Sequence, residues 1–127
     1  MAYHPFTGKA ESFHKNGKKK FTANYVAGVF DGEVLGWFAD EKPASKQAFA
    51  KGKPIGLSQL WYSNGELRKK ATFKAGSLEG EVSEWYENGK KKTERNYKNG
   101  KEDGLVTEWD ENGIVISEKN FVNGNEQ

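Results

Sequence analysis

The sequence predicts an all-β protein, a single elongated, twisted antiparallel meander sheet of five 24-residue β-hairpin repeats. Three observations predict it. Tryptophans lie 24 residues apart, glycines recur at the same interval, and Asn-Gly pairs separate runs that alternate polar and large side chains. An Asn-Gly pair between such runs favours a tight hairpin turn, because a type I′ turn needs positive φ at both central residues.

The period of 24 residues runs through several columns of the sequence. Phe13 begins the column that the tryptophans continue at Trp37, Trp61, Trp85 and Trp109. A second aromatic column holds Tyr25, Phe49, Phe73, Tyr97 and Phe121. Such self-similarity is typical of repeat proteins, in which each unit packs on its neighbours. We therefore divide the chain into a lead-in, residues 1–7, and five repeats, residues 8–31, 32–55, 56–79, 80–103 and 104–127.

Each repeat is predicted to contain two strands. The Asn-Gly pair closes one hairpin, and a second turn at the next glycine column reverses the chain again, so neighbouring strands are antiparallel. A two-residue turn at Asn88-Gly89 would pair Trp85 with Lys92 and Tyr86 with Lys91. A G1 bulge would instead shift one strand by one residue. The sequence leaves both registers open.

Aromatic side chains are predicted on both faces of the sheet. Trp85 and Tyr86 are adjacent, so they point to opposite faces. We expect Val82, Tyr86 and Tyr97 on one face, and the tryptophan ladder on the other, surrounded by Lys92, Arg68, Lys46, Lys70 and Glu94. Either the sheet coils so that one face closes on itself, or a face is left for a partner.

The second repeat departs from the pattern. It has Asp40-Glu41 in place of Asn-Gly, and Pro43 follows. Proline cannot donate a hydrogen bond to a strand ladder. We interpret this repeat as a drifted copy with a longer loop, and the alternative is a loop shaped for recognition.

The composition argues against catalysis. The chain has no cysteine, and its two histidines, His4 and His14, have no His-x-x-x-His partner. A phosphate-binding glycine loop and a Gly-x-Ser-x-Gly motif are also missing. We therefore expect no catalytic residues, no metal and no cofactor. No apolar run approaches the ~18 residues of a membrane helix, and residues 1–10 lack the apolar region of a secretory signal, so we expect a cytoplasmic protein.

Charge is graded along the repeats. Residues 8–31 contain five lysines against two acidic residues, whereas residues 104–127 contain one lysine against five acidic residues. The net charge is only +2, and glutamates flank the cluster Lys90-Lys91-Lys92, so we do not expect nucleic acid to be the partner. The acidic last repeat instead indicates a surface for a basic partner. Charged residues in the terminal repeats, such as Glu118, are expected to discourage edge-to-edge pairing.

The run Trp85-Tyr86-Glu87-Asn88-Gly89-Lys90, followed by Tyr97 and Gly104, closely resembles the bacterial MORN-repeat variant. The other repeats resemble it too, although the second keeps only Trp37, Phe38, Phe49, Gly52 and Gly56. The resemblance implies a stack of β-hairpins in an elongated, curved sheet. It also implies an antitoxin or immunity role, since bacterial proteins of this kind are commonly described as binding a cognate toxin. Related eukaryotic arrays act as scaffolds and are linked to membrane contact.

We therefore predict a non-enzymatic protein-binding module, an immunity or antitoxin protein that binds and sterically neutralises a cognate toxin. The alternative is a self-associating or membrane-surface scaffold, and the sequence leaves the oligomeric state open. Tryptophan, tyrosine and arginine are enriched where interfaces bind most tightly. The candidate partner-binding residues are the aromatic ladder and the acidic side chains of the last repeat: Trp37, Trp61, Tyr62, Trp85, Tyr86, Trp109, Glu108, Asp110 and Glu111.

Overall fold

The structure, a computed structural model, describes residues 5–127 and consists of one antiparallel sheet of 14 strands. The predicted single meander sheet is confirmed, while His4 lies outside the described residues. The strands are β1 (Gly8–Phe13), β2 (Lys19–Val26), β3 (Val29–Phe30), β4 (Gly32–Trp37), β5 (Pro43–Ala50), β6 (Lys53–Trp61), β7 (Leu67–Lys74), β8 (Ser77–Leu78), β9 (Gly80–Trp85), β10 (Lys91–Lys98), β11 (Lys101–Glu102), β12 (Gly104–Trp109), β13 (Val115–Val122) and β14 (Asn125–Glu126).

The long strands follow one another across the sheet in the order β1-β2-β4-β5-β6-β7-β9-β10-β12-β13. The short strands β3, β8, β11 and β14 fold back on the ends of β2, β7, β10 and β13. The first and last strands do not pair with each other, so the sheet is open and does not close on itself.

The Asn-Gly turns contain three-residue loops. The N–H of Gly89 donates to the carbonyl of Tyr86 at 3.0 Å, and the N–H of Tyr86 donates to the carbonyl of Lys90 at 2.9 Å. Gly89 has a φ of 85°, whereas Asn88 keeps a negative φ. A type I turn followed by a left-handed glycine is the G1-bulge hairpin. The structure therefore selects the bulged form and excludes a two-residue turn here.

A second bulge restores the strand register. Trp85 pairs with Lys91, so the predicted pairs of Trp85 with Lys92 and Tyr86 with Lys91 are wrong. Beyond this point Glu84 pairs with Thr93, which is the pairing that a two-residue turn would have produced. The loop and the extra residue at Lys92 thus compensate. Because the same shift occurs in all five Trp- or Phe-ended hairpins, the predicted faces hold along most of each strand.

The type I′ turns lie at the other end of the strands. Asn99 has a φ of 53° and Gly100 a φ of 82°, and equivalent pairs occur at residues 27–28, 51–52, 75–76 and 123–124. Positive φ at both central residues defines the type I′ turn. The N–H of Gly100 also donates to the carbonyl of Leu78 at 3.0 Å, and the same bond recurs in the other repeats. A ladder of backbone hydrogen bonds therefore joins the successive turns at this end of the strands.

The second repeat keeps the turn that its sequence was expected to lose. The N–H of Phe38 donates to the carbonyl of Lys42, and the N–H of Glu41 donates to the carbonyl of Phe38, each at 2.9 Å. The expected longer loop is therefore wrong. Glu41 adopts a φ of 74°, in the region that glycine occupies in the other repeats. Pro43 begins β5, a position where its missing N–H is tolerated.

The core is thin and is made of small side chains in the middle of the strands. The buried apolar residues are Ala23, Ala71, Val82 and Val106. Their chain neighbours Thr22, Ser83 and Thr107 are buried as well. Since adjacent residues in a strand point to opposite faces, both faces are covered at this level. The larger aromatic side chains are half-buried and flank these small residues.

A row of aromatic rings packs along the sheet near the type I′ turns. The ring centroids of Phe6 and Tyr25 lie 5.7 Å apart, those of Tyr25 and Phe30 5.0 Å, and those of Phe30 and Phe49 5.0 Å. These are the spacings at which aromatic pairs attract. Phe6 thus joins part of the lead-in to the first repeat, and its carbonyl also accepts from the N–H of Gly28 at 2.7 Å.

Candidate partner-binding surface

One face of the sheet, called the tryptophan face, carries Trp37, Trp61, Trp85 and Trp109. Each occupies the last position of its strand, and all four are half-buried. The ammonium of Lys91 lies 5.6 Å from the ring centroid of Trp85, within range for a cation–π contact. Lys70 pairs with Ser83, which lies two residues before Trp85 and so on the same face, and the predicted place of this lysine on the tryptophan face is confirmed.

The opposite face, called the tyrosine face, carries Tyr62 and Tyr86 at the same end of the strands. Arg68 lies 5.7 Å from the Tyr62 ring centroid and Lys92 lies 5.6 Å from that of Tyr86. The prediction that Arg68 and Lys92 surround the tryptophans is therefore wrong. The extra residue in each hairpin moves this position to the tyrosine face.

The tyrosine hydroxyls connect neighbouring repeats. Tyr62 Oη donates to the carbonyl of Trp85 at 2.7 Å, and Tyr86 Oη donates to the carbonyl of Trp109 at 2.7 Å. In the first repeat, His14 Nε2 lies 2.8 Å from the carbonyl of Trp37. These side chains fix the spacing of the tryptophan-bearing strands. Tyr62 and Tyr86 therefore stabilise the sheet itself, whether or not they also contact a partner.

The turn asparagines form a second set of links. Asn64 Oδ1 accepts from the N–H of Glu66 at 2.9 Å, and its Nδ2 donates to the carbonyl of Glu87 in the next turn at 2.9 Å. Equivalent bonds to the next turn are made by Asn16 and Asn88. Asp40 accepts from its own turn at 3.1 Å, but a carboxylate has no N–H to donate across.

The acidic site residues of the last repeat have three different roles. Glu108 lies 3.5 Å from Arg95 on the tyrosine face. Asp110 Oδ1 accepts from the N–H groups of Asn112 and Ile114 and so closes the last turn, at 2.9 and 3.0 Å. Glu111 is exposed at that turn. The structure therefore does not gather these three carboxylates into one acidic patch.

An ion cluster lies beside Trp85 on the tryptophan face. Lys91 Nζ lies 2.9 Å from Glu94 and 3.7 Å from Glu81, which confirms the predicted face of Glu94. The Ser83 hydroxyl donates to Glu81 at 2.9 Å. This hydrogen bond, assisted by the charge of Lys91, lowers the pKa of Glu81 below its ordinary value.

Tyr97 is the titratable group whose environment disfavours ionisation. Burial, and then the nearby carboxylate of Glu102, raise the pKa of Tyr97 above its ordinary value. A raised folded-state pKa leaves stability intact below the unfolded-state pKa and removes it as pH rises through the folded-state pKa.

Tyr97→Phe is therefore expected to retain more of its stability at alkaline pH than the original protein. Equivalent positions hold Phe49, Phe73 and Phe121, so the ring fits. Melting temperatures recorded between about pH 8 and pH 11 would check this, since the unperturbed tyrosine pKa is about 10. Parallel curves for the two proteins would contradict it.

Two features of the surface were missed from the sequence. A groove of about 470 Å³ lies between Phe13 and Trp37 and is flanked by Lys18 and Lys19. The last repeat also exposes an apolar run, residues 114–116. A comparison of the repeats could have revealed this run, because the first and fourth repeats have three lysines at the equivalent positions.

Among residues 5–127, no three histidine or acidic side chains cluster so that they could hold a metal ion. In the same part of the chain, no helix is long and apolar enough to cross a membrane. The described surface carries half-buried aromatic side chains beside charged ones on an open sheet, an arrangement suited to binding a partner by surface contact.

Comparison with known families supports this description. The model of the MORN repeat variant matches residues 6–27, 54–75, 78–99 and 102–123, which together exceed half of the chain. The chain belongs to the MORN repeat variant family. MORN repeats are generally protein- or membrane-binding modules. No curated protein matches the sequence.

The family match omits residues 28–53, which include Asp40 and Glu41. This segment nevertheless forms the β4–β5 hairpin with the same loop length and the same compensating bulge. The fold of this MORN repeat protein is therefore more regular than its sequence, because neighbouring hairpins impose their register on the divergent copy.

Proposed function

We propose that this MORN repeat protein is a bacterial immunity or antitoxin protein without enzymatic activity, which neutralises a cognate toxin by covering its active site. The observation that carries the proposal is the tryptophan face, a regularly spaced row of half-exposed aromatic side chains on an open sheet. Buried aromatic anchors supply most of the binding energy in protein interfaces. A cysteine-free chain is compatible with the cytoplasmic location that the proposal assumes.

Rigidity supports an inhibitory role for this face. Hydroxyl bonds such as that of Tyr86 to Trp109, and amide bonds such as that of Asn88 to Glu111, join successive repeats. A surface that is already ordered loses less conformational entropy on binding. Steric blockage then requires only that the aromatic row fit the rim of the toxin's active site.

The test uses the protein encoded next to this one in its native genome. We expect that protein to arrest growth when it is expressed alone, and co-expression with the MORN repeat protein to restore growth. The purified pair should form a stable complex. A neighbour that is harmless when expressed alone, or a toxic one that is not neutralised, would contradict the proposal.

Substitution of the tryptophans locates the interface on the complex. Trp61→Ala, Trp85→Ala and Trp109→Ala, made singly, are each expected to weaken binding at least about tenfold, as aromatic anchors do. Phe73→Ala on the tyrosine face is the matched control, and it should retain full affinity per folded molecule. If binding follows only the folded fraction in every variant, the tryptophans are structural and the interface lies elsewhere.

A membrane-surface scaffold is the second candidate, favoured by the groove where Phe13 and Trp37 lie beside Lys18 and Lys19. Aromatic and basic side chains together are typical of contact with anionic lipid surfaces. Sedimentation with phosphatidylserine vesicles at low salt tests this candidate. A protein that remains in the supernatant would eliminate it.

A further inference from the structure

The last repeat exposes three consecutive apolar residues where the first and fourth repeats have three lysines. Ile114, Val115 and Ile116 are 61%, 49% and 62% exposed. The equivalent residues of the fourth repeat are Lys90, Lys91 and Lys92. Lysine on a terminal strand normally prevents pairing with other chains. We expected charged residues to protect both edge strands from pairing, but the start of β13 is apolar and lacks this protection.

These residues begin β13, whose outer edge is largely open. Among the described residues, β14 covers this edge only at Phe121 and Val122. The carbonyl of Asn120 accepts from the N–H of Gln127 at 2.8 Å, so it points away from β12. By the alternation of an antiparallel ladder, the N–H and C=O of Glu118 point the same way and have no strand opposite them. The equivalent Glu94 is paired with Thr107 of the next repeat.

The side chain of Glu118 also lacks the partner that the repeat pattern would provide. Glu94 lies 2.9 Å from Lys91, but the residue at the Lys91 position of the last repeat is Val115. Within residues 5–127, Glu118 forms no ion pair. A carboxylate next to an open edge and an apolar run is complementary to a segment with both apolar and basic side chains.

The position of Ile114 indicates contact with a further strand. The equivalent lysines reach across to the following repeat, since Lys18 lies 3.1 Å from Glu41 and Lys90 Nζ lies 3.5 Å from the carbonyl of Asn112. Ile114 occupies the same position, and within residues 5–127 no strand lies beside it on the outer side of β13. Its side chain is therefore placed to pack on whatever strand is added.

We propose that the edge segment, residues 114–119, binds an extended segment of a partner protein as an additional antiparallel strand. The bound segment carries apolar side chains against Ile114 and Ile116 and a lysine or arginine beside Glu118. Strand addition gives affinity through main-chain hydrogen bonds and specificity through alternate side chains. The proposal rests on the proposed binding function for the identity of the partner and adds the site and chemistry of contact.

The first experiment needs no knowledge of the partner. An end-blocked peptide of about eight residues that alternates lysine and valine, a typical strand length, is titrated into the protein and followed by NMR. We expect shift changes centred on the Glu118 amide and slower hydrogen exchange at that amide. A peptide that alternates glutamate and valine is the control and should bind weakly.

Two variants test the side-chain contacts. The triple variant Ile114→Lys, Val115→Lys, Ile116→Lys restores residues that the fourth repeat tolerates, so it should fold. It and Glu118→Lys are each expected to reduce peptide affinity about tenfold or more, given the size of cross-strand pair contributions. Lys9→Glu on the opposite edge strand is the control and should bind as the original protein does.

Three outcomes would overturn the proposal. The first is that the peptide leaves the Glu118 amide unaffected, and the second is that the triple-lysine variant binds the peptide as well as the original protein does. The third is that the protein dimerises through this edge, so that a second copy occupies it. Neutralisation assays separate this proposal from the proposed function. A triple-lysine variant that still neutralises the toxin fully contradicts the edge site alone, whereas peptide binding without any toxic neighbour contradicts the toxin role alone.

Discussion

Correcting the turn of the second repeat is expected to stabilise the protein by about 2 kcal/mol. The variant Asp40→Asn, Glu41→Gly relieves a left-handed non-glycine residue, a strain of ~1–2 kcal/mol. It also supplies a donor for the bond to the next turn, and a hydrogen bond contributes about 1 kcal/mol. The greater flexibility of glycine in the unfolded chain offsets part of this gain.

The structure shows both the strain at Glu41 and the hydrogen bond that Asp40 cannot form. Glu41 has a φ of 74°, whereas Gly65 and Gly89 take this conformation at the equivalent positions. Asn64 donates to Glu87, 23 residues further along the chain, and the same step from Asp40 reaches the carbonyl of Ser63. The ion pair of Lys18 with Glu41 is lost in the variant, but it is exposed and contributes little.

The reciprocal change in the third repeat is the matched control. Asn64→Asp, Gly65→Glu is expected to reduce the free energy of unfolding by about 2 kcal/mol for the same reasons. A Cβ atom added at Gly65 would meet no other atom within 4 Å, so the expected loss comes from the backbone conformation and the lost hydrogen bond. Urea denaturation with unchanged m-values would measure both effects. A second-repeat variant that is no more stable than the original protein would contradict the prediction.

Arg95→Ala is expected to reduce the free energy of unfolding by about 2 kcal/mol, because it leaves two half-buried carboxylates without their shared cation. Arg95 lies 2.8 Å from Glu102 and 3.5 Å from Glu108 on the tyrosine face. Its neighbours Val82 and Val106 are 4% exposed, so the ion pairs border the core of the sheet.

The double variant Arg95→Ala, Glu102→Leu should recover most of this loss. It reproduces Ala71 and Leu78 of the third repeat, where the same positions are apolar. Replacing a buried ion pair with packed apolar residues is often neutral or stabilising. A thermodynamic cycle that includes Glu102→Leu alone would give the coupling energy between the two side chains. Additive losses in the double variant would show that the pair does not act as a unit.

Much of the architecture could be predicted from the sequence because a repeat makes each position visible several times. The 24-residue spacing of the tryptophans predicted the repeats, and the consecutive tight turns predicted the meander. The adjacency of Trp85 and Tyr86 predicted their opposite faces. The candidate site was predicted less well, since the roles of Glu108 and Asp110 depend on neighbours from other strands. The exposed run at residues 114–116 carried a signal, but its meaning depends on lying at an open edge.

The period, the meander order and the faces of most columns could be read from the sequence, because these follow from local turn chemistry and strand alternation; the faces of Arg68 and Lys92 could not. The turn geometry at Asn88-Gly89, where a G1 bulge and a second bulge at Lys92 compensate, became clear from the folded sheet alone. The folded sheet likewise places Glu41 in a glycine conformation, because hydrogen bonds to adjacent hairpins outweigh the local preference of one residue. Neighbouring strands impose such choices, and a local pattern does not contain them.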